Sequence, residues 1–212
     1  MKFRDRADAG EALAEKLAKG GYGGNAVVLG VPRGGVVLAD IVAKRLGAEF
    51  DIVVPRKMGA PDNEELAIGA VMEDGTSYIN KYLVDALRIP KEYVEKEKAR
   101  QTDEIQRRMA AYRKSMNYNV AGKRAILVDD GIATGATIIA SARWLKKHGP
   151  AALVIAVPVA PPQSVELLEQ EADSVVAMLT PRDFSSVGQF YEEFHPVSDE
   201  QVMQVMRTRG LL

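Results

Sequence analysis

Cysteine is absent from the 212 residues, which excludes disulfides and thiolate metal ligands. Histidine is nearly absent: His148 and His195 stand alone, without the spacing of a metal-binding pair. No apolar run approaches the roughly 20 residues that a membrane helix needs. Neither sign of charge dominates, with 28 Lys and Arg against 29 Asp and Glu and a net charge of −1. That balance leaves no basic footprint for nucleic acid or a membrane surface. The segment from Met1 to Gly10 is too charged for a secretory leader. These absences lead to the expectation of a soluble, cytoplasmic protein with no nucleic-acid and no membrane partner. The length suits one α/β domain with an appendage.

What is present centres on Arg124-Ala-Ile-Leu-Val-Asp-Asp-Gly-Ile-Ala-Thr-Gly-Ala-Thr137. Ala125 to Val128 reads as a short, buried parallel strand. It stops at Asp129 and Asp130, two adjacent carboxylates that a buried strand interior would not tolerate. Gly131 to Thr137 turns tightly, and Ile138 to His148 continues with helical periodicity. A strand that ends in acids and turns into a helix builds an anion site, because the first N–H groups of the helix are unpaired and its dipole favours negative charge. Thr134 and Thr137 add hydroxyl donors. The acids cannot bind an anion themselves, so they hold what is attached to it: sugar hydroxyls or a hydrated Mg2+.

The rest of the chain supplies a frame. Asp8 to Lys19 reads as an amphipathic helix with Asp8 as its N-cap. Ala26–Gly30 (strand), Gly35–Leu46 (helix) and Asp51–Pro55 (strand) form a β-α-β unit. In its first turn, Gly30-Val-Pro-Arg-Gly-Gly35 lets the backbone approach a ligand, and Arg33 offers forked donors to phosphate oxygens. It fits neither the Walker nor the dinucleotide pattern. Arg56 and Lys57 follow the second strand, where open α/β sheets bind ligands. Asp62 to Glu65 is polar, and Leu66–Glu73 and Thr76–Ile79 form a hairpin around Asp74-Gly75.

From Asn80 to Ala121 the chain turns helical and charged: Lys81 to Leu87, then Pro90 to about Lys114, with a thin stripe of Val94, Ile105, Met109 and Tyr112. A helix this polar is a lid, a hood or a dimer arm. Glu95 to Lys98 reads as a solvated face, and Arg107, Arg108, Arg113 and Lys114 as ordinary surface cations. Strand Ala152–Val159, a helix from Pro161 or Pro162, and strand Ser174–Leu179 complete the pattern. In the tail, Phe184, Phe190, Tyr191 and Phe194 either stack on a planar group or cover the sheet edge. A last helix starts at Ser198.

Asp129-Asp130-x-x-x-Thr134-Gly135-x-Thr137 resembles the signature of the type I phosphoribosyltransferases. The resemblance covers residues 1–79 and 120–212 as the core, leaving 80–119 as a helical insertion. It implies a doubly wound, mostly parallel α/β sheet with a hood. It also implies Mg2+-dependent transfer of a 5-phosphoribosyl group from phosphoribosyl pyrophosphate (PRPP) to a nitrogenous base or the reverse, in a homodimer. In such a site Asp129 and Asp130 grip the ribose and hold the metal indirectly. Gly131, Ala133, Thr134, Gly135, Ala136 and Thr137 cradle the 5′-phosphate. Pro32, Arg33, Gly34, Gly35, Arg56 and Lys57 hold pyrophosphate, although the Gly30–Gly35 loop is one residue short of the usual form. Arg56-Lys-Met-Gly-Ala-Pro61 is similar to the adenine branch. Ile132, Phe184 and Val187 match the base pocket. Lys57 joins the acids as catalytic, and Glu64 or Glu65 either serves the base as acid or base or merely solubilises a loop. 6-oxopurine enzymes usually carry an Asp where this chain has Ala133, which turns the expectation toward adenine-like, pyrimidine or other acceptors. A PRPP sensor and a hydrolase or phosphorylase of ribosyl phosphates are the alternatives.

Overall fold

A computed structural model describes residues 2–115 and 117–212, the side chain of Glu65 apart. Five short apolar runs become one parallel sheet: β1 (Ala26–Gly30), β2 (Glu49–Ile52), β6 (Arg124–Val128), β7 (Ala152–Val159) and β8 (Ser174–Leu179), in the order β2-β1-β6-β7-β8. Chain order reverses between β1 and β6, which run side by side from Ala26 and Arg124 to Gly30 and Val128. The turns leaving those two strands therefore open beside each other, at the switch point where α/β sheets hold ligands.

Alternation along the strands sorts the core into two layers. Val28, Ile126, Val128, Val154 and Ala156 pack on the side of α1 (Arg6–Lys19) and α2 (Gly34–Leu46). Val27, Leu29, Ala125, Leu127, Leu153 and Ile155 pack on the side of α5 (Ala136–Lys147). The helices α6 (Pro162–Glu169) and α7 (Asp199–Thr208) complete the frame. The helix start placed at Asp8 lies earlier: α1 begins at Arg6, and Asp5 caps it by accepting from the Asp8 N–H at 2.8 Å. Two acids at this spacing compete for the cap, and the chain's anchoring decides, because Phe3 pairs with Tyr191 on the sheet's flank.

Arg56 and Lys57 do not close a parallel strand. They open β3 (Arg56–Ala60), which forms a separate antiparallel sheet with β4 (Asn63–Val71) and β5 (Ser77–Ile79). The hairpin around Asp74-Gly75 forms as expected, with a third strand added on its outer side. Two helices then follow, α3 (Lys81–Ala86) and α4 (Lys91–Tyr112). Val94, Ile105, Met109 and Tyr112 are all buried, in one cluster with α1, α2 and β3. Glu97 and Gln101 are buried with them, so the run from Glu95 to Lys98 is not a wholly solvated face. No helix among the described residues is long and apolar enough to cross a membrane.

Candidate active site

The turns after β1 and β6, the start of β3 and one face of α4 enclose a cleft of about 650 Å3. Its floor is the turn after β6. Gly135 adopts φ of 78° as the N-cap of α5, a left-handed geometry that a side chain would strain. Among the described residues, the N–H groups from Ala133 to Ile138 find no hydrogen-bond acceptor. They line a concavity of the kind that suits an anion, at the positive end of a 12-residue helix. Ser164 of α6 secures the turn by donating to the Ala133 carbonyl.

Asp129 and Asp130 stand beside this concavity. The Asp130 N–H donates to Asp129 Oδ1 at 2.8 Å, and Tyr191 Oη donates to the Asp130 carbonyl at 2.6 Å. Burial pushes the Asp129 carboxyl well above its ordinary range, and the neighbouring Asp130 charge adds to that, with Lys57 opposing. Burial also raises Asp130, with Arg6 pulling against it. Arg6 Nε donates to Asp130 Oδ2 at 2.7 Å, Arg6 Nη1 donates to the His195 carbonyl at 2.6 Å, and the guanidinium lies 3.9 Å over the Phe194 ring.

The loop after β1 forms the opposite rim. Its Pro32–Arg33 peptide bond is cis. Gly34 sits so close to the acids that an added Cβ would lie 1.8 Å from Asp130 Oδ2, and one on Gly35 would lie 2.7 Å from the Val128 carbonyl oxygen. Both glycines let this loop close onto the end of β6. Arg33 lies 3.5 Å from Asp199 of α7. From β3, Arg56 and Lys57 line the cleft; Arg56 Nε donates to Gln101 Oε1 at 2.9 Å.

Most residues singled out in the sequence come together here. Pro32, Arg33, Gly34, Arg56, Lys57, Asp129, Asp130, Gly131, Ile132, Ala133, Thr134, Gly135, Thr137 and Val187 line the one cleft. Gly35 and Ala136 are buried and are not among its lining residues. Phe184 is not among the lining residues: it stacks on Phe190, 5.6 Å between centroids, and Phe194 is the ring that lines the cleft. The intervening Val187–Phe190 forms a 3-10 turn, and Val187 packs where a Gly131 Cβ would lie 2.4 Å away. Tyr191 is buried. Arg108, read from the sequence as a surface cation, lines the cleft, as do Arg100, Gln101 and Glu97. Glu64 lines it too, while the Glu65 side chain lies outside the described residues. Arg6 had no local signal, being one of several charges in a short polar stretch. Gln101 and Glu97 had one: they continue the α4 stripe at helical spacing.

A family model described as the phosphoribosyl transferase domain matches residues 3–193. Two Mycobacterium tuberculosis proteins named provisionally as phosphoribosyl transferases, MT0597 and Rv0571c, are each 42% identical to this chain over 203 residues. The match covers 95% of this chain but 45% of either relative, so the chain spans less than half their length. The crystal structure of TT1426 from Thermus thermophilus is 47% identical with a TM-score of 0.80, covering 97% of this chain and 98% of that one.

Proposed function

This chain belongs to the phosphoribosyl transferase family, and on that premise we propose that its cleft moves a 5-phosphoribosyl group between PRPP and a nitrogenous base. The bond from ribose C1 to the pyrophosphate oxygen breaks, its electron pair leaves with pyrophosphate, and a base nitrogen bonds to C1. The observation that carries this reading is the adjacency of two unlike surfaces. A run of unpaired N–H groups at the start of α5 suits a terminal phosphate. A buried, mutually repelling acid pair beside it suits sugar hydroxyls and the positive charge that develops at C1.

In this reading Thr134 and Thr137 add hydroxyls to the 5′-phosphate cradle, whose backbone runs from Gly131 through Ala133, Gly135 and Ala136. Arg33, Arg56 and Lys57, with the backbone of Pro32, Gly34 and Gly35, neutralise pyrophosphate as it departs. Ile132, Val187 and Phe194 form the apolar side against a planar base. Ala133 offers no carboxylate to a base nitrogen, which favours adenine-like or pyrimidine acceptors over 6-oxopurines. Residues 80–119 act as a hood on a core of 1–79 and 120–212. We further read the protein as a cytoplasmic homodimer; Tyr82 and Leu87, exposed large apolar side chains in and just after α3, support a partner-facing hood.

The donor set suits Mg2+ held indirectly. Among the described residues no group of three or more acidic or His side chains is placed to hold a metal ion by itself, and two carboxylates plus substrate oxygens and water match how this ion is usually bound. Asp129 and Asp130 would hold it through water or ribose hydroxyls, and when bound it would offset charge on the pyrophosphate.

Titration calorimetry with PRPP, with and without Mg2+, then with candidate bases, tests the proposal. Mg2+-dependent binding followed by turnover with one base is expected, and the Asp129→Asn/Asp130→Asn double variant should lose transfer. Binding of PRPP without turnover of any base would replace the transferase with a sensor. Release of ribose phosphate without a base would indicate a hydrolase.

A further inference from the structure

The stripe that α4 buries is apolar except in its middle, where Glu97 is 4% and Gln101 5% exposed. A buried carboxylate and amide are costly unless bonded. Here they form a chain. Gln101 Nε2 donates to Glu97 Oε1 at 2.8 Å, and Arg100 donates to both Glu97 oxygens at 2.7 and 2.9 Å. Gln101 Oε1 then accepts from Arg56 Nε at 2.9 Å. The chain therefore ends on a guanidinium at the wall of the cleft. Among the described residues Arg56 has no carboxylate partner, and its terminal NH2 groups make no hydrogen bond. Burial pushes its pKa down, and the charges of Arg108, Arg100 and Arg107 add to that, with Glu104 opposing. Arg108 reaches the same cleft from further along α4, steadied by Glu104 at 3.1 Å.

We propose that α4 forms the far wall of the pyrophosphate seat, where Arg108 and Arg56 together hold the terminal phosphate and Glu97 and Gln101 are positioning residues that keep Arg56 aimed at it. The inference rests on the transferase reading above and assigns to the inserted helix a share of the leaving group's charge. Bidentate guanidinium contacts suit phosphate oxygens, and paired cations gain most where both are partly withdrawn from water.

The test uses the full chain and three probes at fixed Mg2+ and ionic strength: ribose 5-phosphate, inorganic pyrophosphate and PRPP. Losing one charged hydrogen-bonded contact should weaken binding by about 10-fold or more. Arg108→Gln should show that loss for pyrophosphate and PRPP while ribose 5-phosphate binds as before. Gln101→Leu, which removes the acceptor of Arg56 Nε, should weaken the same two probes by a smaller factor with no loss of ribose 5-phosphate, a split that general unfolding would not produce. Unchanged pyrophosphate and PRPP binding in Arg108→Gln overturns the inference while leaving the transferase reading standing. So does equal weakening of all three probes. An unmodified chain that binds none of the three overturns both.

Discussion

At the scale of single residues, the acid pair is held against its own preference. Burial raises both carboxyl groups, and the Asp130 charge raises Asp129 further while Arg6 opposes the shift of Asp130, so the folded protein at neutral pH bears a cost that the unfolded chain does not. Asp129→Asn keeps an oxygen for the Asp130 N–H and removes one charge. It should raise stability by roughly 1 kcal/mol, a shift of about 2–4 °C in thermal midpoint, while lowering transfer by about 100-fold or more. Calorimetric melting and a PRPP-dependent assay check the two halves. Gly34→Ala should act the other way. Its Cβ would collide with Asp130 Oδ2, displacing either the loop or the carboxylate, and should cost about 1–3 kcal/mol together with PRPP binding; chemical denaturation and calorimetry read both. The acids and the Thr-Gly-x-Thr turn were legible because their chemistry lies within nine consecutive residues. Arg6 was not, since its partner is 124 positions away and only folding brings the two within 2.7 Å.

At the scale of elements, α4 was foreseeable as a helix with one thin apolar stripe, and all four apolar positions of that stripe are buried. Its packing was not foreseeable. A polar helix reads as a solvated arm until its few apolar residues are seen to join the core that α1 and α2 share. Tyr112 adds a hydrogen bond to Asp199 of α7, which links α4 to the last helix. Ile105 is fully buried, so Ile105→Ala should cost about 2–5 kcal/mol in urea or guanidinium unfolding. A cost below about 1 kcal/mol would mean that α4 docks only loosely. The start of β3 shows a different limit. Arg56 and Lys57 were read as the end of a parallel strand because they follow an apolar run. A proline at 55 ends that run, and the chain turns into a new antiparallel sheet whose partner, β4, supplies the hydrogen bonds.

For the molecule as a whole, the join between the end of α4 and β2 carries a titrating ion pair. Arg113, just after α4, donates to Asp51 of β2 at 2.7 Å and lies 3.8 Å over the Tyr118 ring. Burial raises the Asp51 carboxyl to about 6, with Arg113 opposing. Between its unfolded pKa near 4 and about 6, the folded protein keeps a proton at Asp51 that the unfolded chain releases. This contribution is fully present below the lower value and is lost as pH rises through the upper one. From Asp51 alone, stability at pH 7 should lie below that at pH 5 by on the order of 1 kcal/mol. Unfolding curves at both pH values should differ by that much less in Asp51→Asn than in the unmodified protein; an equal difference in both would remove Asp51 as the source. The sequence by itself determined the parallel α/β sheet and the turn that leads from β6 into α5, because each rests on hydrophobic period and backbone geometry within a few residues. Tertiary structure alone decided which distant groups meet: Arg6 on Asp130, Arg56 on the Gln101–Glu97 pair, Phe194 rather than Phe184 at the cleft. Those contacts depend on how sheets and helices are placed in space, and no local pattern of residue types encodes the distance between two side chains on different elements.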